Sequence, residues 1–212
     1  MKILCVFLFL LNAGSAWSQE EMTPKRFREL VATPGDTNSL RSELASLPFW
    51  RNARCSITMK YQDGKVFKED CMQTAKTIGG RYIVFSMESQ YYKQTMHAVA
   101  GYDGKASAIR QWALYGDTLT EATMIFDPEK NLSASTSRYG DGFEEISVGS
   151  CSETEMSDPT LVYKGGVLFM TRDAKTRPVV TTTGVEPYGS ANGRQPIRSE
   201  TNRTSSEAGS RL

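Results

Sequence analysis

The chain has a single histidine, His97, in the run Met96-His97-Ala98-Val99. Any mechanism that needs an imidazole to activate a nucleophile must therefore use that residue. Alternation over residues 94 to 102 puts His97 with Thr95 and Val99 on one face and Met96, Ala98 and Ala100 on the other. It does not say which face is interior, so His97 is either a ligand contact or a wall residue. Cys151 lies in Gly149-Ser150-Cys151-Ser152-Glu153, with no neighbouring positive charge to favour a thiolate. No cluster of His, Cys and carboxylates has zinc-ligand spacing, and Tyr139-Gly140-Asp141-Gly142-Phe143-Glu144-Glu145 lacks a calcium-loop pattern and reads as a hairpin turn. No phosphate-cradling glycine loop or dinucleotide fingerprint occurs, and no cofactor is expected.

Two other residue types remain. Glu88, Glu121, Glu144 and Glu145 are the candidates for a carboxylate pair of the kind that cleaves glycosides. The aromatics Tyr82, Phe85, Tyr91, Tyr92, Tyr102, Trp112, Tyr115 and Phe126 are concentrated in the middle of the chain. Most should be core, and His97, Tyr82, Tyr102 and Trp112 are the candidates to line a pocket. A hydrolase would need the carboxylates or His97 gathered in one cleft. Binding is the simpler expectation.

The elements that would position these residues are short and repetitive. Runs of alternating polarity at 55 to 62, 65 to 73, 81 to 89, 94 to 102, 106 to 114, 119 to 127, 131 to 138, 142 to 149, 160 to 164 and 167 to 173 are separated by turn signals such as Asp63-Gly64, Gly79-Gly80 and Gly165-Gly166. Roughly ten strands in a meander predict an all-β, antiparallel up-and-down barrel, or failing that a sandwich. Before it, Phe27, Leu30 and Val31, then Leu40, Leu44 and Leu47, recur at helical spacing around Pro34-Gly35-Asp36, so two short helices are expected within residues 19 to 50. The barrel domain is expected over residues 51 to 175. Residues 176 to 212, rich in Thr, Ser, Gly, Asn and Arg, read as a disordered polar tail.

The start of the chain has a lysine, an apolar run from Ile3 to Leu11 and small residues at Ala16 and Ser18. That is the pattern of a signal peptide over residues 1 to 18, cut after Ser18, which predicts a secreted or periplasmic protein. The apolar run falls short of the roughly 20 residues that span a bilayer, and Cys5 lies inside it rather than at its small-residue end, so neither stable membrane insertion nor a lipid anchor is expected. Removing the segment leaves acidic and basic residues equal in number, which argues against nucleic acid as a partner. Asn131-Leu132-Ser133 and Asn202-Arg203-Thr204 match the glycosylation pattern and read as chance.

Export makes disulfides permissible, and Cys55, Cys71 and Cys151 would survive cleavage. With a three-residue loop and Gly64 in a left-handed conformation, Tyr61 faces Lys65 and Cys55 faces Cys71, close enough for a bridge. A two-residue Asp63-Gly64 turn would instead place Cys55 opposite Met72.

Gly79-Gly80-Arg81-Tyr82, then Gly101-Tyr102-Asp103 and Trp112, resemble a bacterial family of unknown function, number fifteen seventy-nine in the usual domain catalogue. The resemblance covers roughly residues 45 to 173. It implies a calycin-like barrel similar to nitrobindins and, more distantly, lipocalins, and brings no shared catalytic residue. Nitrobindin-like relatives hold haem through a histidine near the end of the barrel sequence. His97 is in a middle strand, so that role does not transfer. The expected function is a carrier or sensor of a small apolar or lipid-like molecule, with a non-catalytic envelope module as the alternative.

Overall fold

Thr23 opens the first element: its hydroxyl accepts a hydrogen bond from Arg26 N (3.1 Å) and Pro24 takes the first helical position, where a missing N–H is harmless. The computed structural model describes residues 21–45, 49–91, 93–139, 142–179 and 187–188. The proposed signal at residues 1–18 lies outside them. Helix α1 spans Pro24–Ala32, and Lys76 Nζ satisfies its C-terminal carbonyls at Val31 (2.6 Å) and Thr33 (2.7 Å). A one-turn helix, α2, follows at Ser42–Ala45.

The strands are β1 Phe49–Trp50, β2 Asn52–Tyr61, β3 Val66–Ile78, β4 Tyr82–Ser89, β5 Gln94–Asp103, β6 Ala108–Tyr115, β7 Thr118–Asp127, β8 Leu132–Arg138, β9 Phe143–Cys151, β10 Met156–Lys164, β11 Val167–Pro178 and β12 Pro187–Tyr188. Strands β2 to β11 form a closed antiparallel up-and-down barrel, each pairing with its neighbours in sequence, and β11 pairs back onto β2 to remove the last edge. All ten runs expected from alternation are strands of this barrel. Four begin or end three or more residues from their expected bounds. Strand β2 starts at Asn52 rather than 55, and β3 runs to Ile78 rather than 73. Strand β10 starts at Met156 rather than 160, and β11 continues to Pro178, three residues into the expected tail. The tail also contributes β12, which pairs with β1 in the register Phe49 to Tyr188 and Trp50 to Pro187.

The barrel is packed on both sides of its wall. Inside one end, Leu40 and Leu44 of the α2 region press on Ile83, Phe85, Ala100 and Ile109, with Met124 and Phe126 beside them. Outside, Phe27 and Leu30 of α1 cover Tyr82, Val84, Val99 and Trp112. The segment between the helices is tied to the barrel through Asp36. Its amide donates to Thr77 O (3.0 Å), Thr77 Oγ1 donates to its carbonyl (2.9 Å), and its carboxylate accepts from Gly79 N and Asn38 N. Gly79-Gly80 is thus an anchor for the helical strap, and Arg41 N donates to Gly80 O (3.0 Å) to complete it. In the Gly101-Tyr102-Asp103 stretch, Asp103 Oδ1 accepts from Lys105 N (3.0 Å) and Ala106 N (3.3 Å), so that motif is a turn cap.

The first hairpin has the three-residue loop: Gly64 adopts φ +85°, its N–H donates to Tyr61 O (3.0 Å), and Tyr61 N donates to Lys65 O (2.9 Å). Cys55 therefore faces Cys71. The expected bridge is nevertheless absent, and both cysteines are free thiols. The reason is the phase of the ladder. Tyr61 and Lys65 form a hydrogen-bonded pair, so by alternation Cys55 and Cys71 do too, and side chains at such pairs stand further apart than at non-hydrogen-bonded ones.

Candidate functional site

Alternation fixed by the register determines what faces the lumen. Cys55, Ile57 and Met59 of β2 point inward, as do Glu69, Cys71 and Gln73 of β3, Met87 of β4, and Met96, Ala98 and Tyr102 of β5. Opposite them stand Ser133, Ser135 and Ser137 of β8, Glu145 and Ser147 of β9, Asp158 and Thr160 of β10, and Met170 and Arg172 of β11. His97 falls on the other face. It pairs with Ser86 on the outer wall, where its Nδ1 lies 2.9 Å from Ser86 Oγ. Burial, with the Lys76 ammonium beside it, holds the imidazole below the usual histidine range.

Two further pocket candidates are also on the outside. Tyr82 and Trp112 are buried under α1, and Trp112 Nε1 donates to Glu121 Oε2 (3.0 Å). Only Tyr102 of the four expected pocket residues faces inward, packed against the α2 end. Of the four candidate carboxylates, Glu121 and Glu144 pair outside with Arg110 (2.9 Å) and Arg138 (3.1 Å), and Glu88 is exposed on the outer face. Glu145 alone enters the lumen.

There it meets Arg172. The guanidinium donates twice, Nη1 to Glu145 Oε1 (3.1 Å) and Nη2 to Oε2 (3.0 Å), and Nη2 also reaches Thr160 Oγ1 (3.4 Å). The two facing carboxylates, first Glu145, hold the guanidinium charged against the opposing effect of burial, which is itself the largest influence on it. Beside this pair, Ser147 Oγ donates to Asp158 Oδ1. The lumen thus has three zones: an apolar floor at α2, a polar belt at mid-height, and an aromatic rim. At the rim Tyr61 and Tyr91 share a hydroxyl hydrogen bond (2.8 Å), and edge-to-face contacts join Phe67 to Tyr91 (4.6 Å) and Phe169 to both Tyr61 (5.7 Å) and Phe143 (5.3 Å). Glu69 braces the rim by accepting from Ser89 Oγ (3.2 Å) and from the backbone N–H groups of Gln90 and Tyr91.

Water reaches the interior at the belt. Side chains that point into a filled core are sealed from solvent, as Ile83 is at the floor, with none of its surface accessible. Arg172 and Glu145 point inward too, yet keep 27% and 14% of their side-chain surface accessible. Gln73, Met87, Met96, Gln111 and Ser135 are likewise half-buried although all face the lumen. A groove of about 550 Å³ runs along Thr58, Lys60, Lys68, Leu161 and Asp173, and Thr160 and Arg172 of the belt also border it.

The belt does leave a signal in the sequence. Along β11 the inward positions read Met170, Arg172, Ala174, and a charge stands where alternation calls for an apolar residue. Glu69 after Phe67 and Glu145 after Phe143 show the same interruption.

The paired thiols also face this space. The Cys55 thiol is lowered to about 7, first by a hydrogen bond from the Cys71 thiol, then by the Thr176 hydroxyl and the Arg172 charge. Cys71 moves the other way for the same reason, since a second negative charge beside the first is opposed, and burial raises Cys151. A pH titration followed by thiolate ultraviolet absorbance is expected to show one thiolate appearing with a midpoint near 7, absent in Cys55→Ser. A single step at the ordinary thiol value would contradict this. Linkage follows the same sign: Cys55 ionises earlier in the folded chain, so it adds stability as pH rises from about 7 toward the free-thiol range.

No protein-family model matches the chain, and no curated protein matches it either.

Proposed function

We propose that this is an exported, non-enzymatic binding protein that carries or senses a small amphipathic molecule inside its barrel, and that the resemblance carried by Gly79-Gly80-Arg81-Tyr82 and Gly101-Tyr102-Asp103 reflects kinship with the calycin-like family described above. One observation supports it most: a water-accessible belt of hydrogen-bonding groups between an apolar floor and an aromatic rim. Mostly apolar walls with a few convergent polar groups are what small-molecule sites have in common. The floor suits an alkyl or ring end, and the belt suits one polar head. This shifts the expected ligand from purely apolar to amphipathic.

Native mass spectrometry of protein purified from its own source is expected to show a bound small molecule that is lost on denaturation. Uniformly ligand-free protein that also fails to take up added amphiphiles would overturn the proposal. His97→Gln is expected to leave ligand affinity within about twofold, because the ring stands on the outer wall.

An interaction module is the second function that a specific feature favours. On the outer face of β7 to β10, Ile125, Ala134 and Val148 form a row across three strands, and Ile146 adjoins Leu161. Ile125 and Val148 are 62% and 60% exposed. Apolar side chains contiguous across strands are a common mark of contact surfaces. Cross-linking from a reactive group placed at Val148 tests it, and recovery of only uncross-linked chain would remove that function.

A further inference from the structure

Two buried thiols stand face to face without being joined. Cys55 of β2 and Cys71 of β3 are partners in the ladder, both point inward, and they are only 5% and 7% exposed. Cys71 Sγ donates to Cys55 O (3.5 Å). Thr176 of β11, level with Cys55 on its other side, donates its hydroxyl to Cys55 Sγ (3.5 Å). The same rung continues through Met156 to Cys151, three strands from Cys55, where Cys151 Sγ donates to Ser133 Oγ (3.9 Å). Cys151 is thus separate from the pair.

This spacing suits a bridging ion better than a direct bond. A disulfide needs its sulfurs about 2.05 Å apart and its Cβ atoms about 3.8 Å apart. Side chains at a hydrogen-bonded ladder pair start from Cβ atoms about 5.5 Å apart. A two-coordinate metal ion spans about 4.6 Å between sulfurs, twice a metal–thiolate bond of about 2.3 Å. The ligand types then select the ion. Glu69, the next inward residue on β3, is engaged by Ser89 Oγ and the amides of Gln90 and Tyr91. Among the described residues no group of three or more His, Cys, Asp and Glu side chains is placed to hold a metal, so zinc would be short of its four ligands. Two thiolates alone suit a soft ion that accepts low coordination.

We propose that Cys55 and Cys71 form a two-coordinate site for a soft monovalent metal ion, cuprous copper. The ion binds both sulfurs and displaces both thiol protons to solvent, with no electron transferred and the copper monovalent throughout. The bound dithiolate carries one net negative charge, which Arg172 offsets, since its positive charge already acts on Cys55. Gln73 and Thr176, beside the pair, keep accessible surface, so a small ion reaches the sulfurs from water. The site stands whether or not the lumen also takes an amphiphile.

Anaerobic titration of the reduced whole chain with cuprous ion, supplied as its acetonitrile complex in competition with the chelating dye bathocuproine disulfonate, tests the site. The chain is expected to withdraw one copper from the dye and to gain an ultraviolet sulfur-to-copper band, and its native mass to rise by one copper less two protons. Cys55→Ser and Cys71→Ser are each expected to weaken binding by more than the roughly 10–100-fold that losing an outer partner of a metal site costs. Cys151→Ser is expected to leave binding unchanged. Should a serine variant not fold, alkylation of the wild-type chain decides: copper is expected to slow the reaction of Cys55 and Cys71 with iodoacetamide and to leave the rate at Cys151 as it was, read by peptide mass. No copper withdrawn, undiminished binding in either single variant, shielding of Cys151 instead, or zinc held as tightly overturns the proposal. A disulfide joining Cys55 to Cys71 in chain purified without reductant overturns it too, because the sulfurs would then meet directly.

Discussion

Arg172→Met is expected to lower stability by about 2–4 kcal/mol, most of it from the charge it leaves behind rather than from the contacts it removes. In the native chain the guanidinium answers Glu145 through two hydrogen bonds and faces Asp158 as well. Methionine fills a similar volume but strands both carboxylates inside the wall. Breaking a fully buried pair typically costs about 3–5 kcal/mol, and the 27% accessibility of Arg172 through the lumen lets water recover part of that. Two companion results identify the cause. Arg172→Met/Glu145→Gln should regain most of the loss, since Glu145 is the carboxylate that the guanidinium bonds directly, while Asp158 keeps the Ser147 hydroxyl. The deficit of the single variant should also shrink as pH falls into the carboxylate range, where protonation neutralises the stranded groups. Urea unfolding at neutral and mildly acid pH measures both. A deficit that is unchanged by the second substitution and by pH would mean that Arg172 contributes packing alone.

Gly80→Ala is the second large effect, expected at about 1–3 kcal/mol, against about 1 kcal/mol for Gly79→Ala. Both glycines have positive φ, +58° at Gly79 and +66° at Gly80, so each alanine pays the left-handed penalty. Only at Gly80 would the new Cβ also meet a wall: it would lie 2.4 Å from Ser39 O, whereas nothing lies within 4 Å at Gly79. The obstacle is backbone, in the strap that presents Leu40 and Leu44 to the barrel floor. Relief therefore requires the strap to move, and the Asp36 and Arg41 hydrogen bonds hold it. Chemical denaturation of the two variants side by side tests this, and equal losses would mean that the strap yields freely.

These effects concern residues that were unequally legible in the sequence. The barrel was legible because its strands alternate and its turns carry glycine at positions such as Gly64 and Gly116, where φ is +85° and +60°. The start of β10 was not, because Pro159 discourages a strand assignment. It is tolerated because it is exposed on the outer face and because the ladder to β9 skips Asp158 and Pro159. Gly149 sits across that gap, where an added Cβ would approach Ser157 O at 2.3 Å.

Which face of β4 to β6 is the lumen was closed to alternation for a physical reason. Helix α1 covers the outside of these strands, so Tyr82, Ile83, Val84 and Phe85 are all buried and no polar face betrays the exterior. That is why Tyr82, Trp112 and His97 were drawn toward a pocket they do not enter. The belt itself was hidden differently. Arg172 and Glu145 are 27 residues apart on β11 and β9, and only the register of both strands with β10 brings them together. Cys55 and Cys71, by contrast, share one hairpin, so loop length alone gave their facing register.

A ligand-accessible lumen would be reported directly by the methionines. Met59, Met87, Met96, Met124 and Met170 face inward, while Met72 is 45% exposed on the outer wall. Carbon-13 methyl spectra of methionine-labelled protein titrated with hexanol, a short amphiphile, are expected to show saturable shifts at several lumenal methyls and none at Met72. Shifts confined to Met72, or no saturable change at any methyl, would contradict it.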